Sequence, residues 1–384
     1  MSAATHTPVI VAARRSAIGR GGGQFRSVTA DRLAAPAIRA VLADAGLRPH
    51  EVDAVILGNA LEGGNMARVA SLAADLPAGV PALTLDRQCT AGLDAVVEAC
   101  ARVAAGRAEV VVAGGLESVS TAPWRVARPA RPNAAPRFLD RARFGAGRHG
   151  DPDPIPAAAA VIRAQGISRA DQDAWAARSH ANALAAEAAG VFAAERVAVA
   201  GDGAVPEPDE APKPGLDARR LARLRPLGPD SGDITAGTTA PEGDAAAVLL
   251  VVSAAVAARL GVARGLRLYD SAEAGCPPET AGLAAVPALD KLAARRGRTA
   301  WDDIAAVAFN EAFAGQTLAC LRAARLPEDR TNRHGGALAF GHPYGASGAL
   351  LALRLFHDLA PGALGVAAVS AMGGQGTAAL FARV

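Results

Sequence analysis

The feature that most limits how this chain can fold is an internal duplication. Three segments of the first half recur in the second half, in the same order and at nearly constant spacing. Each copy has a buried strand, an apolar helix opened by a small residue and glycine, and a strand ending in two glycines. Three matches in register indicate a duplicated α/β unit. The matched pairs are 52–61 with 304–313, 91–92 with 347–348, and 114–115 with 373–374.

Predicted strands and helices alternate within each copy. The apolar runs at 52–57 and 109–113 show no polar alternation, which is typical of strands buried on both faces. Helical spacing of apolar residues predicts helices over 31–45 and 91–105. The sequence therefore predicts an α/β fold with a mostly parallel sheet that helices cover on both sides.

A segment of different composition, 116–237, interrupts the first copy, which then finishes with a predicted strand at 245–252. The segment is rich in Pro, Gly and Arg near its start, and a helix is predicted at 168–189. We interpret it as an insertion. The predicted domains are an N-terminal half (1–115 plus 238–260), an inserted loop domain (116–237) and a C-terminal half (261–384).

Composition excludes several functional classes. No apolar run approaches about eighteen residues, and the N-terminus lacks a basic stretch followed by an apolar one, so we expect neither a membrane span nor a secretory signal. The four cysteines form no close pairs, which argues against a disulfide framework or a metal site and favours the cytoplasm. The net charge is only +3 and the arginines are mostly dispersed, so we expect no nucleic-acid partner.

One arginine-rich stretch, 125–150, stands out from this even distribution. The simpler interpretation is a solvated, irregular surface loop. The alternative is a docking surface for phosphates or for an acidic partner, because clustered guanidinium groups bind both.

Cys89 is the strongest candidate for a nucleophile. A predicted strand at 82–85 turns into a helix there, and free backbone N–H groups at such a turn favour a thiolate, lower its pKa and can stabilise an oxyanion. For the other three cysteines, Cys100, Cys276 and Cys320, we prefer the interpretation of small apolar core residues.

His342 lies in a Gly- and Pro-rich loop before a helix, at nearly the same place in the second copy as Cys89 in the first. If the two copies face each other about a pseudo-twofold axis, these turns meet and a Cys–His pair forms. Asn310 follows a predicted strand, at the end of the sheet where α/β proteins place ligands. It could orient a water or an imidazole there, or cap the following helix.

Together these motifs resemble the thiolase family over nearly the whole chain. The segment RQCTAG around Cys89 looks like the nucleophile motif of the family, and GHPYGASG around His342 looks like its histidine motif. The remaining matching segments are GGLESVS at 114–120, GISRADQDAWAARSH at 166–180, LRP at 224–226, TAG at 235–237 and NEAFA at 310–314.

The resemblance implies two duplicated βαβαβαββ halves stacked as five α/β/α/β/α layers, with an inserted loop domain. It also implies a homodimer or homotetramer that needs no cofactor and uses an acyl thioester such as acyl-coenzyme A as substrate. The arginine-rich stretch 125–150 adds an acyl-carrier-protein thioester as an alternative substrate. Cys89 would carry the acyl group after activation by His342. The N–H groups of Cys89 and Met372 would hold the oxyanion of the first acyl-transfer step. Asn310 and His342 would hold the oxyanion of the second step through a water. The implied substrate-binding residues are Gly341, Ala240, Phe313 and Arg220.

The chain departs from the family pattern at several of these positions. Ser370 stands where the family has a second catalytic cysteine, and a hydroxyl is too weakly acidic to act as that base near neutral pH. Met372 stands where the family has a glycine, and Ala240 stands where it has a serine that contacts pantetheine. The segment 153–156 (DPIP) stands where the family has a His/Met-Gly stretch. Acylation of Cys89 is expected to be retained, while the later chemistry at Ser370 is expected to change.

Three functional hypotheses follow. The favoured one is an altered thiolase-like acyltransferase that performs acyl transfer or decarboxylative condensation, as the related β-ketoacyl synthases do without an α-proton base. The second is an ordinary 3-ketoacyl-coenzyme A thiolase or acetyl-coenzyme A acetyltransferase, in which His342 or water replaces the missing cysteine. The third is a catalytically idle thiolase-like subunit that binds lipid or scaffolds a partner enzyme.

Overall fold

Twelve strands and eleven helices make up the part of the chain that the computed structural model describes, residues 6–129, 131–199, 205–262, 264–297 and 301–384. The strands are β1 (Pro8–Arg15), β2 (Gly19–Arg20), β3 (Ala54–Gly58), β4 (Ala82–Leu85), β5 (Val110–Ser118), β6 (Arg125–Ala127), β7 (Arg137–Leu139), β8 (Gly243–Ser253), β9 (Leu266–Gly275), β10 (Ile304–Phe309), β11 (Leu364–Ala371) and β12 (Gln375–Arg383). The helices are α1 (Ala30–Asp44), α2 (Met66–Ala73), α3 (Ala91–Ala104), α4 (Pro154–Ala164), α5 (Arg169–Ala188), α6 (Ala218–Leu221), α7 (Ala254–Arg259), α8 (Ala285–Arg296), α9 (Ala314–Ala324), α10 (Ala337–Phe340) and α11 (Tyr344–Asp358).

The main sheet consists of two half-sheets, one from each copy of the duplicated unit. Its strand order is β10-β11-β12-β9-β1-β8-β5-β3-β4, with β2 paired to β8. The halves join between β1 and β9, where the single pair Ile10 and Leu266 is in register. The strands predicted at 52–57, 82–85, 109–113 and 245–252 correspond to β3, β4, β5 and β8. In the second half, β10 and β11 pair in parallel as β3 and β5 do in the first, so the duplication that the sequence predicts is confirmed.

The core has four clusters of buried residues, and the three large ones lie between five layers. Helices α1 and α2 cover the outer face of the first half-sheet, α3 and α11 lie between the two half-sheets, and α8 and α9 cover the second. Along β8, Val248 and Leu250 point to the outer core while Leu249 and Val251 point to the central one. Such a strand has no polar face, and burying each of these side chains stabilises the fold by about 1.5–3 kcal/mol. The predicted α/β/α/β/α arrangement is confirmed.

The prediction of a mostly parallel sheet is wrong. Parallel pairing joins β3 with β4, β3 with β5 and β10 with β11. The other main contacts are antiparallel: β1 and β5 with β8, β12 with β9, and β11 with β12. A continuous apolar run indicates that a strand is buried on both faces. Helix layers bury both faces of parallel and antiparallel strands equally. The run therefore cannot indicate strand direction.

The inserted segment between β5 and β8 carries α4, α5, α6 and the β6–β7 hairpin, and polar groups buried in the core anchor it. Trp175 Nε1 and Ser179 Oγ, both on α5, donate to the Glu311 carboxylate at 3.1 and 2.7 Å. Arg15 Nε lies 2.6 Å from Glu195 Oε1, and both side chains are buried. These contacts fix the insertion against the end of the sheet where the predicted site residues lie.

Two further observations concern the same described residues. None of their helices combines the length and hydropathy that crossing a membrane requires. They also contain no group of three or more His, Cys, Asp or Glu side chains arranged to hold a metal ion.

Candidate active site

Cys89 lies in a short 3-10 turn, 88–90, that links β4 to α3. The residue before it, Gln88, has a φ of 53°, a left-handed conformation that costs free energy in a residue other than glycine. Asp86 Oδ1 accepts hydrogen bonds from the Gln88 backbone N–H and side-chain amide, both at 3.0 Å, which stabilises the turn. The sharp turn places the Cys89 side chain at the N-terminal end of α3.

Glycines bring the two copies into backbone contact at this point. A Cβ atom on Gly92 would lie 2.6 Å from Gly345 O, and one on Gly348 would lie 2.4 Å from Leu93 N. Only glycine therefore allows α3 and α11 to cross so closely. The Ala-Gly and Ser-Gly pairs of the duplicated unit are the residues at this crossing, and the crossing brings the turns before α3 and α11 together.

His342 meets Cys89 as a pseudo-twofold arrangement requires. Its Nε2 lies 3.1 Å from Cys89 Sγ, and its Nδ1 lies 2.6 Å from Ser347 Oγ. The His342 backbone N–H donates to Pro241 O at 2.7 Å. The imidazole is thus held from both ring nitrogens and from its own backbone, with Nε2 directed at the sulfur.

The electrostatics of this pair differ from the expectation for Cys89. Burial raises the pKa of the Cys89 thiol to about 12, even though the backbone N–H groups of Cys89 and Met372 lower it. Burial also lowers the pKa of His342 to about 4. The expectation of a lowered thiol pKa is therefore wrong, because desolvation of the thiolate outweighs the helix terminus. Both pKa shifts favour a neutral thiol and a neutral imidazole in the resting pair.

This charge state predicts the pH dependence of the site. Between the pKa of His342, about 4, and that of Cys89, about 12, the ultraviolet thiolate absorbance of the protein minus that of a Cys89→Ala variant should stay flat. Acylation of Cys89 should slow only as the pH falls through about 4, where His342 becomes protonated and can no longer accept a proton. An absorbance step near pH 7 would show that an ion pair forms instead.

The two predicted oxyanion donors, the backbone N–H groups of Cys89 and Met372, both lower the pKa of the Cys89 thiol, so both lie near its sulfur. Gly373 and Gly374 follow Met372 with φ values of 81° and 77°, which turns the chain sharply after it. Two N–H groups near a sulfur that carries an acyl group are the donors that can stabilise a developing oxyanion.

Asn310 follows β10 and is buried. Its backbone N–H donates to Ala368 O at 3.1 Å, but its side-chain Nδ2 has no hydrogen-bond partner among the described residues. Phe313 is the N-cap of α9, so the alternative of Asn310 as the helix cap is wrong. Asn310 lines a cavity of about 70 Å3 together with Gly341 and Ser347. A cavity of this size has room for an ordered water, which would satisfy the amide.

Ser370 is directed away from the Cys–His pair. On β11 its neighbours Val369 and Ala371 belong to the central core with Cys89. The Ser370 hydroxyl donates to Gly282 O at 3.1 Å and accepts from the Ala285 N–H at 2.9 Å. These bonds tie the start of α8 to β11, and the described contacts of this hydroxyl do not include Cys89 or His342.

Three of the four predicted substrate-binding residues lie close to His342 or to each other. Gly341 immediately precedes His342 with a φ of 108°. Ala240 and Phe313 belong to adjacent chain segments, because the Ala240 N–H donates to Ala312 O at 3.0 Å. Arg220 lies apart, exposed on α6 with its guanidinium next to Gly215.

Glu117 has no function predicted from the sequence, although it lies within the GGLESVS motif at 114–120. Its side chain is fully buried at the end of β5 and accepts hydrogen bonds from the N–H groups of Gly345 (2.9 Å), Ala60 (3.0 Å) and Leu61 (3.1 Å). The carboxyl group thereby fixes the start of α11, which carries Ser347 and follows His342. An acidic residue at the end of a fully apolar strand was the signal that could have identified it.

Comparisons with known proteins agree with this geometry. The family descriptions "Thiolase, N-terminal domain" and "Thiolase, C-terminal domain" match residues 8–255 and 264–383. Relatives named "Putative acetyl-CoA C-acetyltransferase VraB" are 39% identical over 383 residues in Staphylococcus epidermidis (98% of each chain) and 36% identical over 378 residues in Staphylococcus aureus (98% of this chain, 99% of the relative). The crystal structure of the Bacillus anthracis acetyl-CoA acetyltransferase superposes with a TM-score of 0.89 at 32% identity, covering 100% of both chains. The chain therefore belongs to the thiolase family and has its fold, that of a family of acyltransferases.

Proposed function

We propose that this protein transfers acyl groups from thioesters through a covalent intermediate on Cys89. The observation that carries the proposal is the 3.1 Å contact between His342 Nε2 and Cys89 Sγ. His342 takes the thiol proton as Sγ attacks the thioester carbonyl, and the new Sγ–C bond replaces the C–S bond of the donor. The leaving thiolate then takes the proton from His342, so protons and electrons balance.

The surrounding groups support the same step. The N–H groups of Cys89 and Met372 stabilise the oxyanion that forms during attack. The Asn310 amide, which has no partner among the described residues, can hold a water that faces a second oxyanion during the reaction with the acceptor. Ser347 keeps Nε2 of His342 directed at the sulfur by bonding Nδ1.

Ser370 bears on what happens to the acyl group afterwards. Its hydroxyl is engaged with Gly282 O and the Ala285 N–H, and an aliphatic hydroxyl is a poor base near neutral pH. We therefore favour reactions that need no α-proton base, either plain acyl transfer or decarboxylative condensation. The acyl donor or acceptor is a coenzyme A or carrier-protein thioester, and the arginines of 125–150 offer a surface for its phosphate or acidic groups.

A second candidate is ordinary acetyl-coenzyme A acetyltransferase activity. The names of the Staphylococcus epidermidis relative and of the Bacillus anthracis structure favour it. Rapid thiolysis of acetoacetyl-coenzyme A by the native protein, with no gain on Ser370→Cys, would support this candidate. Absent or slow thiolysis that Ser370→Cys restores would support a reaction altered by the serine.

The decisive experiment is intact-protein mass spectrometry after incubation with acetyl-coenzyme A, malonyl-coenzyme A and an acyl-carrier-protein thioester. We expect a mass increase of one acyl group, localised to Cys89 by peptide mapping. Absence of an adduct with every thioester would contradict the proposal. Inactivity combined with stable co-purification of a partner enzyme would instead favour an idle scaffold subunit.

Ser370→Ala separates the anchoring function of this hydroxyl from a catalytic one. The substitution leaves the Ala285 N–H without its acceptor, so the free energy of unfolding should fall by about 1–3 kcal/mol. Acylation of Cys89 by acetyl-coenzyme A should change less than about fivefold, which corresponds to about 1 kcal/mol. Urea unfolding and rapid-quench mass spectrometry measure the two quantities. A large loss of acylation without loss of stability would assign Ser370 to catalysis.

We also propose that the chain self-associates through strand β4. This strand is one edge of the main sheet. Three apolar side chains lie there, Leu83 on β4 and Val69 and Leu72 on α2, and each is 36–46% exposed. An exposed apolar edge is a template for pairing with a second copy. Light scattering coupled to size-exclusion chromatography should give a dimer or tetramer, and Leu83→Lys should shift it toward monomer.

A further inference from the structure

Tyr344 connects the Cys–His pair to a part of the molecule that the proposed reaction does not use. It is the first residue of α11 and is half-buried. Its ring centroid lies 5.0 Å from that of His342, with the ring planes tilted by 56°. Its hydroxyl donates to Glu242 Oε1 at 2.5 Å. Tyr344 therefore stands between the catalytic imidazole and the Glu242 carboxylate.

Glu242 lines a separate groove. The groove encloses about 300 Å3 between Arg20, Val119, Ser120 and the backbone of 21–22, with Glu242 on the side nearest Tyr344. This volume is at the lower end of the range for small-molecule sites. The Glu242 carbonyl accepts from the Gly21 N–H at 2.9 Å, so backbone pairing as well as the tyrosine contact fixes this wall of the groove.

The hydrogen bond between Tyr344 and Glu242 holds the tyrosine ring in a fixed position. Burial, followed by the charge of Glu242, raises the pKa of Tyr344, so the phenol remains a neutral donor at physiological pH. A hydrogen bond from a neutral hydroxyl to a carboxylate is stronger than one between two neutral groups. The bond therefore keeps the ring against His342 and out of the groove.

We propose that Tyr344, held by Glu242, forms the end wall of the acyl site and restricts the acyl group on Cys89 to a short chain. The side-chain contacts run in order from Cys89 to His342, Tyr344 and Glu242, which lines the groove, while the backbones of His342 and Glu242 pair directly. A chain that extends from Cys89 past His342 on this side meets the Tyr344 ring before it can reach the groove. Tyr344 is thus a specificity-determining residue, and this inference rests on the proposed acyl-enzyme at Cys89.

The test compares acylation of Cys89 by acetyl- and hexanoyl-coenzyme A, followed by intact-protein mass spectrometry. The measured quantity is the ratio of the hexanoyl to the acetyl rate constant within each protein. In the native protein this ratio should be well below one. Tyr344→Ala removes the wall and should raise the ratio at least about tenfold, because each methylene accommodated or excluded changes specificity by a factor of about 10–200.

Three further variants make the outcome decisive. Tyr344→Phe keeps the ring without its hydroxyl, so its ratio should fall between those of the native protein and Tyr344→Ala. Tyr344→Leu serves if Tyr344→Ala does not fold. Tyr269→Ala removes the other tyrosine of the chain, which is 69% exposed on β9, and should keep the native ratio.

The outcomes distinguish failure of this inference from failure of the proposed function. A native protein that is acetylated at Cys89, together with an unchanged ratio in folded Tyr344→Ala and Tyr344→Leu, would overturn the end wall alone. Equal acetyl and hexanoyl rates in the native protein would also overturn it. No adduct with either thioester on the native protein would overturn the acyl-enzyme itself, and the end wall with it.

Discussion

Cys89→Ala is expected to abolish the covalent acyl adduct and to reduce acyl transfer by a factor on the order of 10^4 or more, as loss of a nucleophile does in other covalent enzymes. The reason is geometric. Cys89 Sγ is the atom that His342 Nε2 contacts, and the N–H groups of Cys89 and Met372 lie near it. Without this atom, the proposed base and oxyanion donors have no nucleophile to assist. Rapid-quench mass spectrometry and product assays measure both quantities.

Cys100→Ala is the matched control for this variant. Cys100 lies on α3, the helix that follows the Cys89 turn, and is also buried, and burial raises the pKa of its thiol to about 12 as it does for Cys89. Cys100→Ala should retain the adduct and the rate within a few-fold. An undiminished adduct in Cys89→Ala, or its loss in Cys100→Ala alone, would place the acyl group on a different residue.

The second large expected effect is that of replacing His342, the proposed general base. His342→Gln should slow acylation of Cys89 by about 10^2–10^4-fold, the usual contribution of a positioned general base. Because the pKa of the Cys89 thiol is raised to about 12, almost no thiolate forms without proton transfer at the moment of attack. Glutamine keeps a polar side chain of similar size but cannot accept the thiol proton effectively. The acylation rate constant should then increase with pH, as hydroxide generates thiolate in place of the imidazole.

His180→Gln controls for the loss of a buried histidine. Burial lowers the pKa of His180 to about 4, as it does for His342. His180 is on α5, and its Nδ1 accepts from the Lys213 N–H at 3.2 Å, so the described contacts give it no connection to Cys89. Its substitution should leave acylation within a few-fold of native. If His342→Gln retained the native rate and its pH profile, Cys89 would not depend on this base.

The sequence was sufficient to predict the elements and their duplication. Strand β4 is predicted at its observed bounds, 82–85, and the helix predicted at 91–105 is α3, Ala91–Ala104. These predictions succeed because apolar periodicity reflects which faces of an element are buried. The glycines at 92 and 348 recur for a related reason: two helices can approach this closely only where neither has a Cβ atom at the contact.

The pairing partners of the antiparallel strands, and the direction in which these strands run, could not be predicted from apolar periodicity. The run at 245–252 reads as a buried strand, and β8 is one. It lies between β1 and β5, however, and runs antiparallel to both. Apolar residues on both faces satisfy either direction equally well, so only the path of the chain through the insertion decides it.

Residues that are neighbours in the chain are enough to predict the duplicated α/β unit, the turns that carry Cys89 and His342, and the family resemblance. The raised pKa of Cys89, the direction of the Ser370 hydroxyl and the contact of Tyr344 with Glu242 emerge only when the chain is folded. This is because a turn and its free N–H groups are local. Desolvation and hydrogen-bond partners come from segments far apart in the chain. The helix terminus at Cys89 could be predicted from neighbouring residues, but the burial that outweighs it could not.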